Sequence, residues 1–274
     1  MTANKIDLSP GFPWFARREV ITKMKMIKVI APILVFVSIF LSFQLAAISS
    51  ESIKLVTEDQ KQIRATYYPS PSGQAPGIIL IPDTRCDGSV FGRFSKKLSK
   101  QGFSVLAMDL RYKDLIARAG KPEAQIKLLL SQDVYAPINY EIKSAMDFLT
   151  SQKEVDPERI VLLGTSYGSR VALHSGVKHK VKALVLVSLS GDEALPGKGV
   201  KELLEEYGDR PILFMTSERD WGGNYKAAEH NKLYIDWARG RKELRIWPGS
   251  AHGVEILNMK EAADFTIKWL KENL

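Results

Sequence analysis

The stretch RIVLLGTSYGSRVALHS, Arg159 to Ser175, decides the fold. Arg159–Leu163 is a short apolar run with the look of a buried strand, and Ser166–Ser175 places Val171, Ala172 and Leu173 at helical spacing. Between them Gly164-Thr165-Ser166-Tyr167-Gly168 gives the pattern G-x-S-x-G. A chain that passes from strand to helix in so few residues must bend sharply at the serine. The flanking positions then have little room for side chains, which is what glycine supplies. Such a bend lifts the Ser166 hydroxyl above the strand end and sets the Tyr167 N–H at a helix N-terminus. The five-residue string is common; its strand–turn–helix context is what makes it informative.

Outward from this turn, strands and helices alternate in both directions. Ile53–Thr57 and Gln62–Tyr68 are short alternating runs around a polar turn, as in an antiparallel hairpin. Gly77–Ile81 is continuously apolar and closed by Pro82, predicting a strand buried on both faces. Ser89–Gln101 has helical spacing, Phe103–Leu110 reads as a strand, and Pro122–Gln152 reads as helical. Beyond the turn come a strand at Lys182–Ser188, a helix at Val200–Tyr207, a strand at Pro211–Ser217 and a helix at Lys226–Ala238. Lys242–Trp247 is the last strand and Glu255–Asn273 the last helix. This order predicts an α/β protein: a three-layer α/β/α sandwich whose mostly parallel sheet of about six strands follows an antiparallel N-terminal hairpin.

A serine hydroxyl needs a base to become a nucleophile, and the base needs a carboxylate to orient it. His252 lies in Pro248-Gly249-Ser250-Ala251-His252-Gly253, between the last strand and the last helix. Asp220 follows the preceding strand in Thr216-Ser217-Glu218-Arg219-Asp220. Loops that leave the carboxyl ends of neighbouring parallel strands gather at one rim, so Ser166, Asp220 and His252 can converge there. Glu218 and Asp192 are the competing acids. His174, His179 and His230 fall on or beside helices and read as structural, as does Asp109. Cys86 reads as a packing residue.

Composition narrows the function. The 274 residues carry a net charge of +8, one cysteine and four histidines. A single cysteine excludes an internal disulfide framework and a multi-thiolate zinc site, so no metal and no cofactor are expected. Six basic and two acidic residues within 1–49 account for +4 of the charge, and the other +4 is spread over 225 residues. No dense basic patch or motif points to nucleic acid.

Val29–Phe43, VIAPILVFVSIFLSF, is apolar, follows Lys23, Lys25 and Lys28, and leads to Ala47-Ile48-Ser49. That layout predicts that residues 1–49 are a signal peptide or a membrane anchor, with 50–274 a single domain outside the cytoplasm. Residues 1–23 would be a long stretch before the apolar run, so Met24 or Met26 is the expected initiator. Membrane contact is expected only through this segment.

With these residues quoted, the chain over about 75–274 resembles the α/β-hydrolase family, in particular its compact dienelactone-hydrolase-like and esterase or peptidase-like branches. Phe103–Arg111 (FSVLAMDLR) and Val155–Ile160 (VDPERI) add to the resemblance around Gly164–Gly168, Asp220 and His252. It implies Ser166 as nucleophile, His252 as general base and Asp220 as orienting acid. Family members usually carry His-Gly after the third strand, where a loop amide helps to hold an oxyanion. Here the positions read Pro82-Asp83-Thr84-Arg85-Cys86-Asp87-Gly88, so the implied donors are the backbone N–H groups of Thr84 and Tyr167. Ser169 stands where a second glycine is frequent.

Arg85 and the Tyr167 ring are the expected substrate contacts. Ser188 and Pro211 are only about twenty residues apart, which excludes a thick lid there. Tyr112–Asn139, with Ile126, Leu128, Leu129, Leu130 and Tyr135, is the alternative cap. The implied activity is serine-dependent hydrolysis of a small-molecule acyl substrate, most directly a carboxylic ester. The competing reading is a non-catalytic binding or assembly module of the same fold, tethered to the membrane.

Overall fold

Continuous apolar runs place the centre of this protein. In the computed structural model, residues 50–274 are described apart from 130, 192, 196–197 and 221–225, with backbone alone at 114, 115, 117, 122, 123, 126, 133 and 193–195. The sequence readings that fall on residues 1–49 lie outside the described residues. Among the described residues no helix is long and apolar enough to cross a membrane.

The strands are β1 (Glu51–Val56), β2 (Gln62–Tyr68), β3 (Ala75–Ile81), β4 (Ser104–Met108), β5 (Val155–Thr165), β6 (Ala183–Val187), β7 (Glu193–Leu195), β8 (Lys198–Gly199), β9 (Ile212–Ser217) and β10 (Lys242–Trp247). The helices are α1 (Gly92–Lys100), α2 (Tyr112–Ala119), α3 (Pro122–Leu129), α4 (Gln132–Ser151), α5 (Tyr167–His179), α6 (Val200–Tyr207), α7 (Ala227–Trp237), α8 (Val254–Asn258) and α9 (Lys260–Asn273). Eight strands form one sheet in the order β1-β2-β4-β3-β5-β6-β9-β10. β1 pairs antiparallel with β2, and β2 antiparallel with β4. From β4 to β10 every pairing is parallel. The predicted hairpin and six parallel strands are therefore present, and Ile48–Leu274 forms one compact unit.

Alternation along the buried strands splits the core in two. Ile79 and Ile81 of β3 join the cluster that includes Ile138, Ile142 and Leu149 of α4, Leu173 of α5, Leu203 of α6 and Tyr234 of α7. Ile78 and Leu80 join Phe94 and Leu98 of α1 with Ile256 of α8 and Trp269 and Leu270 of α9. Successive side chains point to opposite faces of a strand, so a run with no polar residue can stand only where helices cover both faces. The result is a three-layer α/β/α sandwich.

Several boundaries depart from the sequence reading. The helical region expected over Pro122–Gln152 is two helices, because Ser131 takes an extended conformation and both its N–H and its hydroxyl bond the Leu128 carbonyl. Serine offers the backbone such local alternatives to helix. The last helix is likewise split at Met259, whose extended backbone (ψ 132°) lets its side chain pack on the second core. The helix expected over Ser89–Gln101 opens with a 3-10 turn over Gly88–Phe91. β4 is shorter than the predicted Phe103–Leu110, and the antiparallel β7–β8 ribbon was not expected.

Candidate active site

Four loops that matter leave neighbouring parallel strand ends. Ile81 is in register with Gly164, Thr165 with Val187, Val187 with Met215, and Trp247 with Ser217. Strand order reverses around β3, with β4 on one side and β5 on the other, which opens a crevice at the carboxyl ends. Ser166, Ser188, Asp220 and His252 follow four consecutive strands of that rim.

Ser166 sits at the bend between β5 and α5 with φ 53° and ψ −119°, a conformation that costs a residue with a side chain of order 1–3 kcal/mol. The two glycines of the motif are there for space. A Cβ on Gly164 would lie 2.1 Å from the Gly168 carbonyl oxygen, and one on Gly168 would meet the end of β3. The Ser166 N–H donates to the Val187 carbonyl at 2.8 Å. Ser169 is fully buried, and its hydroxyl lies 2.8 Å from the Gly164 carbonyl and 2.7 Å from that of Val187. Serine in place of a second glycine thus brings one hydroxyl hydrogen within reach of either strand-end carbonyl, that of β5 or that of β6.

His252 Nδ1 lies 2.5 Å from Asp220 Oδ1. The Asp220 side chain is 1% exposed and that of His252 11%, so water hardly competes for this contact. Asp220 Oδ2 accepts from the hydroxyls of Ser188 at 2.6 Å and Thr216 at 2.8 Å. A carboxylate facing Nδ1 sets the tautomer with hydrogen there and leaves Nε2 as the acceptor. The backbone of the next residue, Gly253, approaches Thr165: a Cβ on it would lie 3.5 Å from Thr165 Cβ. The histidine loop therefore packs on the residue immediately before Ser166. Glu218, the competing acid, is exposed, while its N–H bonds the Trp247 carbonyl. Asp192 lies outside the described residues.

The loop after β3 turns on Asp83, where the resemblance suggests a glycine. Asp83 accepts from the Arg85 N–H at 2.7 Å through its side chain and from the Cys86 N–H at 3.4 Å through its carbonyl. This is the self-bonding turn that aspartate favours, and neither bond uses the Thr84 N–H. Tyr167 opens α5, so its N–H has no acceptor within the helix. Arg85 is exposed on the loop. Asp109 anchors the loop's far end, accepting from the Gly88 N–H at 2.9 Å and from Arg64 at 3.0 Å.

The Tyr167 ring is buried against Tyr112 in an edge-to-face contact at 5.1 Å, and its hydroxyl donates to the Leu129 carbonyl at 2.8 Å. Tyr112 in turn donates to the Pro82 carbonyl at 3.2 Å. α2 and α3 are thereby tied to both the serine bend and the β3 loop. Of the expected cap residues, Leu128, Leu129 and Tyr135 pack on the first core, while the side chains of Ile126 and Leu130 lie outside the described residues. Burial, reinforced by Asp83, pushes the Cys86 thiol up to about 11, which leaves it protonated and inert at neutral pH.

The other histidines have separate surroundings. The His174 ring bonds the Tyr135 hydroxyl, and burial, with Lys178 nearby, pulls it down to about 4. His230 is more engaged than a surface helix position would be. Its Nδ1 lies 2.7 Å from the Ser190 hydroxyl and accepts from the Gly191 N–H at 3.1 Å. Among the described residues no three His, Cys, Asp or Glu side chains gather as a metal would require.

Residues 63–263 match the model of the dienelactone hydrolase family. The chain belongs to that family. It has the α/β-hydrolase fold, and the solved structures agree on architecture. The dienelactone hydrolase from Anabaena variabilis superposes with a TM-score of 0.63 at 16% identity, over 82% of this chain and 98% of that one. A cold-adapted esterase from an Arctic intertidal metagenomic library superposes with a TM-score of 0.62 at 16% identity, over 82% and 93%. At such identities the likeness shows the fold alone. In sequence, this dienelactone hydrolase-family chain is 27% identical to uncharacterized protein Rv2307c of Mycobacterium tuberculosis over 141 residues, 51% of this chain and 46% of that one. The chain thus spans about half the length of the curated relatives it matches.

Sequence reasoning missed Ser188, Thr216 and Tyr112. The one available signal was a hydroxyl closing each of two otherwise apolar strands, at Ser188 and at Thr216-Ser217. Nothing local in the sequence pairs either hydroxyl with Asp220.

Proposed function

We propose that the protein is an exported serine hydrolase that cleaves an acyl bond, most directly a carboxylic ester, through Ser166, His252 and Asp220. The observation that carries this reading is the 2.5 Å contact between the buried Asp220 and His252, on a loop packed against the residue before Ser166. In the proposed reaction Ser166 Oγ attacks the acyl carbonyl carbon while His252 Nε2 takes the hydroxyl proton. The N–H groups of Tyr167 and Thr84 hold the negative oxygen that forms. Collapse of the tetrahedral species expels the alcohol, which takes the proton from His252. Water, activated by the same imidazole, then releases the acid and restores Ser166. Thioesters and peptides are the other acyl linkages open to this chemistry. Arg85 on the rim is the proposed contact for an anionic substrate group.

The Ser166→Ala variant tests the assignment. It is expected to keep the wild-type circular dichroism spectrum and lose turnover of a p-nitrophenyl ester. Undiminished turnover would reject Ser166 as nucleophile. The replacement of the family's His-Gly by Pro82-Asp83 favours a second reading, a non-catalytic module. A fluorophosphonate probe separates the two, because only an activated hydroxyl reacts. Export rests on the apolar run Val29–Phe43 behind its lysines. Fractionation of the producing cell, with N-terminal sequencing of the exported chain, distinguishes a cleaved signal from a retained anchor.

A further inference from the structure

Ser188 follows β6 and is fully buried, with φ 57°, a left-handed conformation that a residue with a side chain adopts at a cost. Its N–H donates to the Met215 carbonyl at 2.7 Å, which pins it between β6 and β9. Its hydroxyl does two things at once. It accepts from the Gly253 N–H at 2.9 Å and donates to Asp220 Oδ2 at 2.6 Å. A hydroxyl has one hydrogen. With the Gly253 amide filling an acceptor position, that hydrogen is directed to the carboxylate. One side chain therefore bonds the acid that faces His252 and the residue that follows His252, linking two loops 32 residues apart in sequence.

We infer that Ser188 is a positioning residue: it sets the carboxylate plane of Asp220 and the height of the His252 loop together, so that Nε2 is aimed at Ser166. This role rests on the triad reading above and deepens it. Thr216 supplies the second donor to Oδ2, but it lies on β9, the strand that leads to Asp220 itself, and its hydroxyl otherwise approaches the Ser217 carbonyl on that same strand. The strained backbone at Ser188 is consistent with a residue held for its hydroxyl, since glycine would adopt the same φ at less cost.

The decisive variant is Ser188→Gly, which removes the hydroxyl and relieves the backbone, so that a loss of activity does not reduce to a loss of fold. In the full-length chain acting on p-nitrophenyl acetate, kcat is expected to fall roughly ten- to a hundredfold, the worth of one charge-assisted hydrogen bond, with KM unchanged. The far-downfield proton resonance of His252 Nδ1–H should shift or broaden in the same variant. In an Asp220→Asn background, Ser188→Gly should cost little more, because residues that act through one another are not additive. Wild-type kcat in Ser188→Gly beside a crippled Asp220→Asn overturns the Ser188 role alone. A full multiplicative loss in the double variant with the resonance unmoved overturns it as well. Full activity in Asp220→Asn overturns the triad, and the role of Ser188 with it.

Discussion

A Cβ on Gly168 would lie 2.3 Å from the carbonyl oxygen of Ile81 and 2.5 Å from that of Pro82. Both obstacles are backbone at the end of β3, in the middle of the sheet, so neither can swing aside as a flexible side chain would. The close approach holds the first turn of α5 against the loop that carries Thr84. Gly168→Ala is expected to cost about 3 kcal/mol or more of stability, read as a lower urea midpoint at unchanged slope. Gly73→Ala is the control: nothing lies within 4 Å of its added Cβ, and its effect should stay within about 0.5 kcal/mol. Equal midpoints for the two variants would contradict the packing argument.

Tyr167 couples the serine bend to the helices above it through its bond to the Leu129 carbonyl. Tyr167→Phe keeps the edge-to-face contact with Tyr112 and deletes only that bond. The expected stability loss is about 1 kcal/mol. The more telling readout is hydrogen exchange, which should quicken in α3 and leave the strands β5 and β6 unchanged. Unaltered exchange in α3 would mean that the helix is held by its apolar contacts alone.

Much of this architecture was legible because it is written in continuous local patterns. Gly77–Ile81 and Lys182–Ser188 have no polar residue until their ends, and only a strand covered on both faces accommodates that. Ser166, Asp220 and His252 could be assigned to one rim because each follows a parallel strand, and parallel strands bring their carboxyl ends to one side. Asp220 was preferred to Glu218, one pleat back at the same strand end, but what separates the two is burial, Asp220 being enclosed and Glu218 exposed, which no local pattern gives. The breaks at Ser131 and Met259 were hidden for a different reason: the helical spacing continues across both, and it is contact with a carbonyl or with the core that interrupts the helix. Ser188 depends on partners 32 and 65 residues away, a distance at which no local pattern carries information.

Glu141 gives the fold a pH dependence whose direction can be worked out. Its side chain on α4 is fully buried against Arg111, which also pairs with Asp59 at 2.6 Å. Burial pushes Glu141 up to about 7, with Arg111 pulling the other way, and its Oε2 is buried with no hydrogen-bond partner. The folded state therefore holds a proton that the unfolded chain, near the usual 4.5, has released. Stability from this group is fully present below about 4.5 and is lost as pH rises through about 7, on the order of 3 kcal/mol. Asp59 acts outside that window. Arg111 holds it down to about 2, so its contribution is present above its usual value of 3.8 and fades only as pH falls through about 2. Thermal melts of the wild type and Glu141→Gln between pH 5 and pH 8 isolate the effect. The wild type should lose melting temperature relative to the variant as pH rises, because glutamine has no proton to give up. A gap that stays constant across the range would mean that Arg111 keeps the buried carboxylate ionised throughout.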